Sequence, residues 1–147
     1  FTAVRITESD EDYTHQHQNV RTENGVFYGD TPEFVDFEYT ANVARVNLIA
    51  LASLANAPAQ PVNVGIVTSK LTNDTELKWD ANTDADIAGY EVVWRDTTAA
   101  EWTNAKFVGN VLTYTAKGMS KDNYFFGVRA VDKAGNKSPV VYPRPMR

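Results

Sequence analysis

Cysteine is absent from the 147 residues, so neither a disulfide framework nor a thiolate metal site exists, and any zinc must be held by imidazole and carboxylate. Histidine is nearly absent. The two that occur, His15 and His17, fall in one short stretch. No run approaches the ~18 consecutive apolar residues of a membrane span, and no membrane partner is expected. The opening Phe1-Thr2-Ala3-Val4-Arg5 has neither an initiator Met nor a signal-peptide pattern. A start inside a strand-like run implies a processed or engineered product, or a fragment whose upstream part is absent. Positive charge is also in deficit: 14 Lys+Arg against 19 Asp+Glu leave −5, a sign that repels a polyphosphate backbone and argues against nucleic acid. What remains is an ordinary globular composition, 43% hydrophobic and 22% charged, which excludes disorder throughout.

The charges divide the chain. Residues 1–57 hold three basic side chains (Arg5, Arg21, Arg45) against nine acidic ones, net −6, and residues 58–147 hold eleven against ten, net +1. Between them Asn56-Ala57-Pro58-Ala59-Gln60-Pro61 reads as a short stiff linker, because two prolines fix φ and extend the residues before them. In the first part, Ala3-Val4-Arg5-Ile6-Thr7 reads as a short strand, and a long polar loop comes next, from about Glu8 to Glu33, punctuated by Asn24-Gly25 and Gly29-Asp30. A helix is expected after it, with Asp36 as N-cap, Glu38 in its first turn, and an apolar stripe at Tyr39, Val43, Val46, Ala50 and Leu54. Leu48, Ile49 and Leu51 widen that stripe, so burial of the C-terminal half on more than one side is expected. One strand and one helix cannot supply that burial, and a unit this small without cysteines seldom folds alone. Residues 1–57 are therefore read as the last piece of a larger α/β domain.

The second part is all-β in pattern. Seven β-rich runs recur between turn signals, at 62–67, 75–79, 89–95, 106–108, 112–116, 124–131 and 140–142. Tyr124, Phe126, Val128 and Ala130 share one face of their run. Such spacing argues for a β-sandwich.

Residues 58–147 resemble a fibronectin type III domain, on Pro61-Val62-Asn63-Val64, Leu77-Lys78-Trp79, Asp86-Ile87-Ala88-Gly89-Tyr90-Glu91-Val92 and the run from Tyr124 to Ser138. The resemblance implies that Trp79 fills the space between the sheets and that Tyr124 ties its hydroxyl to backbone. Residues 1–57 resemble the C-terminal end of the co-catalytic zinc exopeptidases, the aminopeptidase and glutamate carboxypeptidase-like family. The strand leads to Tyr13-Thr14-His15-Gln16-His17-Gln18-Asn19, and the helix lies beyond. The longer run through Tyr28-Gly29-Asp30 and Phe34-Val35-Asp36-Phe37 is similar to a bacterial subgroup with a C-terminal fibronectin-like domain. Taken together, the fold class is mixed: the edge of an α/β zinc-peptidase domain over 1–57, then a fibronectin type III-like sandwich over 58–147.

The resemblance implies a secreted or periplasmic peptidase that hydrolyses peptide bonds with water activated at two zinc ions. One of His15 and His17 is a ligand, and Tyr13 stabilises the oxyanion of the tetrahedral intermediate. Asn19 stands where the family has a carboxylate four residues after its histidine, and Tyr13 is two residues before His15 rather than one. The remaining ligands and the general base must come from an upstream catalytic part of the same protein, so no turnover is expected of this chain alone. The acidic cluster Glu8, Asp10, Glu11 and Asp12 reads as a hydrated turn, and Trp94 and Trp102 as packing residues rather than a carbohydrate or protein patch. Asn73-Asp74-Thr75 and Asn136-Lys137-Ser138 match the N-glycosylation pattern, which a bacterial origin makes idle. The alternative function is a non-catalytic fibronectin-type binding module with an N-terminal extension.

Overall fold

In the computed structural model, which describes residues 5–147, the chain divides into two compact units at Ile49/Ala50. In the first, Asn24 and Gly25 take φ of 52° and 79°, the pair of left-handed residues that a type I′ turn requires. They close a hairpin of β1 (Arg21–Glu23) and β2 (Val26–Tyr28), in register with Thr22 opposite Phe27. The long loop expected over 8–33 is thus corrected. Asn-Gly between short β-rich runs is itself a hairpin signal, and a 3-10 turn at Pro32–Phe34 orders the approach to the helix. Of the strand expected over 3–7, Ala3 and Val4 lie outside the described residues, while Arg5, Ile6 and Thr7 carry no ladder. Among the described residues β1 and β2 pair only with each other and offer Arg5, Ile6 and Thr7 no neighbour.

The helix α1 (Phe37–Asn56) starts where the sequence places it: the Asp36 carboxylate accepts the Tyr39 amide at 2.9 Å. Asp36→Ala is expected to cost the helix about 1 kcal/mol, read as lost helical circular dichroism; unchanged helicity would count against the cap. The apolar stripe exists but is uncovered. No residue of α1 is buried, and Val46, Leu48, Leu51 and Leu54 are 63%, 66%, 66% and 58% exposed. The burial expected for its C-terminal half is therefore absent among the described residues, because a stripe specifies what a helix can bury and not what stands beside it. None of the described helices is long and apolar enough to cross a membrane.

The second unit is a β-sandwich. It comprises β3 (Gly65–Val67), β4 (Thr75–Lys78), β5 (Ile87–Asp96), β6 (Asn104–Gly109), β7 (Thr113–Ala116), β8 (Tyr124–Asp132) and β9 (Arg144–Met146). They form one sheet of order β7-β4-β3-β9 and another of order β6-β5-β8, antiparallel except where β9 runs parallel to β3. Inward residues at every second position build the core: Leu77, Trp79, Tyr90, Val92, Phe126, Val128 and Ala130 are all buried. The last strand is displaced from its expected place at 140–142. Val141 makes only an isolated bridge to Val128 of β8, flanked by Pro139 and Pro143, which have no amide to donate, and the last ladder forms from Arg144 against β3, at the edge of the other sheet.

Trp79 fills the space between the sheets as expected, its ring 5.4 Å from that of Tyr90. The hydroxyl tie falls elsewhere. Tyr90 Oη accepts the Asn82 backbone N–H at 2.8 Å, while Tyr124 packs edge-on against Phe126 and its hydroxyl has no hydrogen bond among the described residues. Trp102 packs on the outer face of β5 and β8. A Cβ on Gly127 would stand 3.2 Å from its ring, and Tyr142 lies 5.1 Å away.

The same outer face holds an ion cluster. Glu91 is 8% exposed and receives hydrogen bonds from Arg129 Nε at 2.6 Å and Lys137 Nζ at 3.1 Å. Burial opposes its ionisation, but the bonds and charges of Arg129 and Lys137 prevail and hold the carboxyl below its ordinary range. A depressed folded pKa means stability that is present above the unfolded value and lost as pH falls through the folded one. Glu91→Gln is accordingly expected to lower the thermal midpoint at neutral pH and to flatten its acid limb. A variant whose acid limb matches that of the parent chain would refute the linkage.

Candidate functional site

Around the histidines the backbone is shaped by short-range bonds. Asp12 Oδ1 accepts both the amide (2.9 Å) and the hydroxyl (2.6 Å) of Thr14, and its carbonyl accepts the amides of His15 and Gln16. This turn delivers the two imidazoles to different places. The Gly29 amide donates to Thr14 O at 3.2 Å, which ties the end of the hairpin to the turn.

His15 lies flat on Phe34, with ring centroids 3.5 Å apart and planes at 12°, and Phe27 closes its flank at 6.3 Å. It lines an open cleft of about 690 Å³ together with Glu8, Glu11, Asp12 and Gln16. Its Nε2 faces Asp12 Oδ2 at 3.8 Å, and its Nδ1 is buried without a partner among the described residues, as is Gln16 Oε1. Hydrogen bonds from the Thr14 hydroxyl and amide hold Asp12 below its ordinary range, so the group facing the imidazole is a carboxylate. His17 is exposed and does not line the cleft. It takes φ of 56° and donates its amide to Asp30 Oδ2 at 3.2 Å.

Tyr13 is 68% exposed, lies outside the cleft lining, and donates its hydroxyl to Glu11 Oε2 at 2.7 Å. That bond raises the pKa of the phenol, while the hydroxyls of Thr7 and Tyr13 lower that of Glu11. Asn19 is exposed, and the carboxylate beside the imidazole is Asp12, three residues before it rather than four after. The sequence carries one signal for this, the Asp-x-Thr-His spacing of an Asx turn, which a reading of the cluster as a hydrated turn passes over.

The donor set decides how far zinc fits. Among the described residues no group of three His, Cys, Asp or Glu side chains forms a metal cage. An imidazole with one buried unpartnered nitrogen and a carboxylate facing the other suits a single coordination position. The cleft therefore fits one corner of a zinc site and not a whole one.

No known protein-family profile matches the chain. Curated relatives do. A "Probable zinc metalloprotease" of Pyrenophora tritici-repentis is 53% identical over 145 residues, matching 99% of this chain and 30% of that protein. Similar proteins of the same description occur in Leptosphaeria maculans (54% identity, 99% of this chain, 33% of the relative) and Pyricularia oryzae (51%, 97% and 29%). These organisms are fungi. The chain spans about a third of the length of the curated relatives it matches. Among solved structures, an Fn3-like protein from Clostridium thermocellum aligns with TM-score 0.49 and 21% identity over 63% of this chain and 97% of its own. The fn3 domain of human collagen alpha-1(XX) aligns with TM-score 0.45 and 12% identity over 63% and 90%. The sandwich assignment stands on the sheet topology of the chain itself.

Proposed function

We propose that this chain is the C-terminal portion of a secreted zinc exopeptidase of the aminopeptidase type, with the sandwich as an accessory domain. The observation that carries the reading is the match of 99% of the chain, at 53% identity, to a protein described as a zinc metalloprotease and about three times as long. Two features of residues 5–56 support it. The uncovered face of α1, with a shallow apolar groove lined by Ile6, Tyr39, Val43 and Val46, is the surface that a larger α/β sheet would bury. His15 offers one nitrogen with no partner among the described residues. A stand-alone binding module would leave Val46, Leu48, Ile49, Leu51 and Leu54 in water, an apolar patch that soluble monomers seldom carry without function. The organisms of the relatives favour a fungal source over a bacterial one.

In this reading His15 is the chain's zinc ligand, and Asp12 orients the imidazole from Nε2. Zinc in such a site polarises the scissile carbonyl and lowers the pKa of bound water. Stacking on Phe34 fixes the plane of the imidazole, and the ionised Asp12 favours a proton on the nitrogen it faces, leaving Nδ1 as the lone-pair donor. Tyr13 reaches a substrate oxyanion only by releasing Glu11. The remaining ligands and the general base lie outside this chain.

The test is the intact mass and metal content of the natural protein. A product about three times this length holding two zinc ions is the expected result, and the isolated 147-residue chain is expected to show no metal-dependent peptide hydrolysis. A metal-free natural protein, or turnover by the pure short chain, would overturn the proposal.

A further inference from the structure

The proposed activity leaves two motifs unused, Asn73-Asp74-Thr75 and Asn136-Lys137-Ser138, both acceptor patterns for N-linked glycosylation. A bacterial source would make them idle. The relatives are fungal, and a fungal secretory route carries the glycosyl-transfer machinery. The structure separates the two sites. Asn73 is exposed in the connection between β3 and β4, its side-chain amide has no hydrogen bond among the described residues, and nearby Leu71 is 98% exposed. Thr75 is fully buried and donates its hydroxyl to Met119 O at 2.7 Å. The hydroxyl that presents Asn73 is free only before β4 docks, so transfer precedes folding, and the finished sheet then holds the modified residue on an outward turn.

Asn136 is in the opposite situation. Its Nδ2 donates to Asp132 Oδ2 and its backbone amide to Asp132 Oδ1, both at 2.8 Å, and this clasp closes the turn after β8. Ser138 is 3% exposed, and Pro139 after it drives it toward extended backbone, away from the compact turn that brings a hydroxyl onto the asparagine amide. A glycan on Nδ2 would break the clasp in the folded state.

We infer that the chain carries an N-linked glycan on Asn73 and leaves Asn136 bare. The transfer forms a bond from Asn73 Nδ2 to the anomeric carbon of an oligosaccharide and breaks the bond of that carbon to a polyprenyl diphosphate donor. The amide proton goes to the transferase, the diphosphate is the leaving group, and nothing is oxidised or reduced. A bulky hydrated group at this turn covers Leu71 and adds solubility without touching the core. The inference rests on the proposed secretion, so its test has two arms.

In the first, the chain is expressed in yeast behind a cleavable secretion leader, as the parent sequence and as Asn73→Gln and Asn136→Gln. The expected result is a mass increment removed by a glycan-releasing amidase, lost in N73Q and retained in N136Q, with Asn73 recovered as Asp after release. An unmodified Asn73 in leader-processed chain from the medium overturns the inference, as does a glycan that survives N73Q. In the second arm, the natural protein is located and its Asn73 peptide sequenced by mass spectrometry. A secreted protein with bare Asn73 refutes the glycan alone, whereas an intracellular protein beside a competent acceptor in yeast refutes the secretion and the glycan with it.

Discussion

On the proposed function, replacing His15 by alanine in the full-length protein is expected to lower its peptide hydrolysis about 100-fold or more, since loss of a partner that merely orients a ligand already costs about 10- to 100-fold. The same change at His17 is expected to do far less. The two imidazoles are separated by one residue and differ in every physical respect that bears on coordination. His15 is held flat on Phe34, lines the cleft, has Asp12 at 3.8 Å from one nitrogen and keeps the other buried, with no partner among the described residues. His17 projects from a left-handed backbone position into solvent. Asp12→Asn should fall between them, with weakened zinc retention on dialysis and intact secondary structure, because the amide leaves the imidazole in place but removes the charge that fixes its proton. A larger loss at His17 would mean that the two-residue shift of the loop relative to the exopeptidase pattern is real and that His17 is the ligand instead, and equal losses would refute the distinction drawn between the two imidazoles.

Much of the sandwich is legible in the sequence because alternation is a local property. Tyr124, Phe126, Val128 and Ala130 share a face by period alone, and the structure sets the last three in the core and Tyr124 against it. The helix start is legible for the same reason: an Asp three residues ahead of an amide to cap is a matter of a few bonds. What fails to show in the sequence depends on distant partners. The tie of Tyr90 to Asn82 and the parallel pairing of β9 with β3 join residues whose proximity no spacing announces. The hairpin at Asn24-Gly25 is a different kind of miss, since its turn chemistry stands in plain view and reads equally as loop punctuation. At the site, the imidazoles stand out by rarity and resemblance, whereas Phe34 under His15 comes from nineteen positions away and has no signature beyond being aromatic.

Gly89→Ala is expected to destabilise the sandwich by about 3 kcal/mol or more, through two contributions of about 1–3 kcal/mol each, overpacking and backbone strain. Gly89 has φ of 154°, and a Cβ there would stand 2.4 Å from the Gly109 carbonyl carbon, 2.6 Å from its oxygen and 2.8 Å from the Asn110 amide. Those atoms are backbone at the end of β6 and cannot swing aside as a side-chain tip would. Gly89 also sits where the pairing of β5 with β8 shifts register, between Ile87 and Gly89, and one residue before the matching shift against β6. The strand thus passes the end of β6, beside both register shifts, on a residue without a side chain. Here the Ile-Ala-Gly-Tyr motif has a physical cause rather than only a family likeness. Gly135→Ala is the control, because its φ of 90° strains any other residue but its Cβ would meet nothing within 4 Å. Its cost should be the strain alone, about 1 kcal/mol. All three tryptophans, at 79, 94 and 102, lie in the sandwich and none in α1, so fluorescence during urea unfolding reports the sandwich. A lower midpoint at constant slope is the expected form of the change. Equal losses for the two glycines would show that β6 yields to the added methyl and that the close crossing does not set the register of β5.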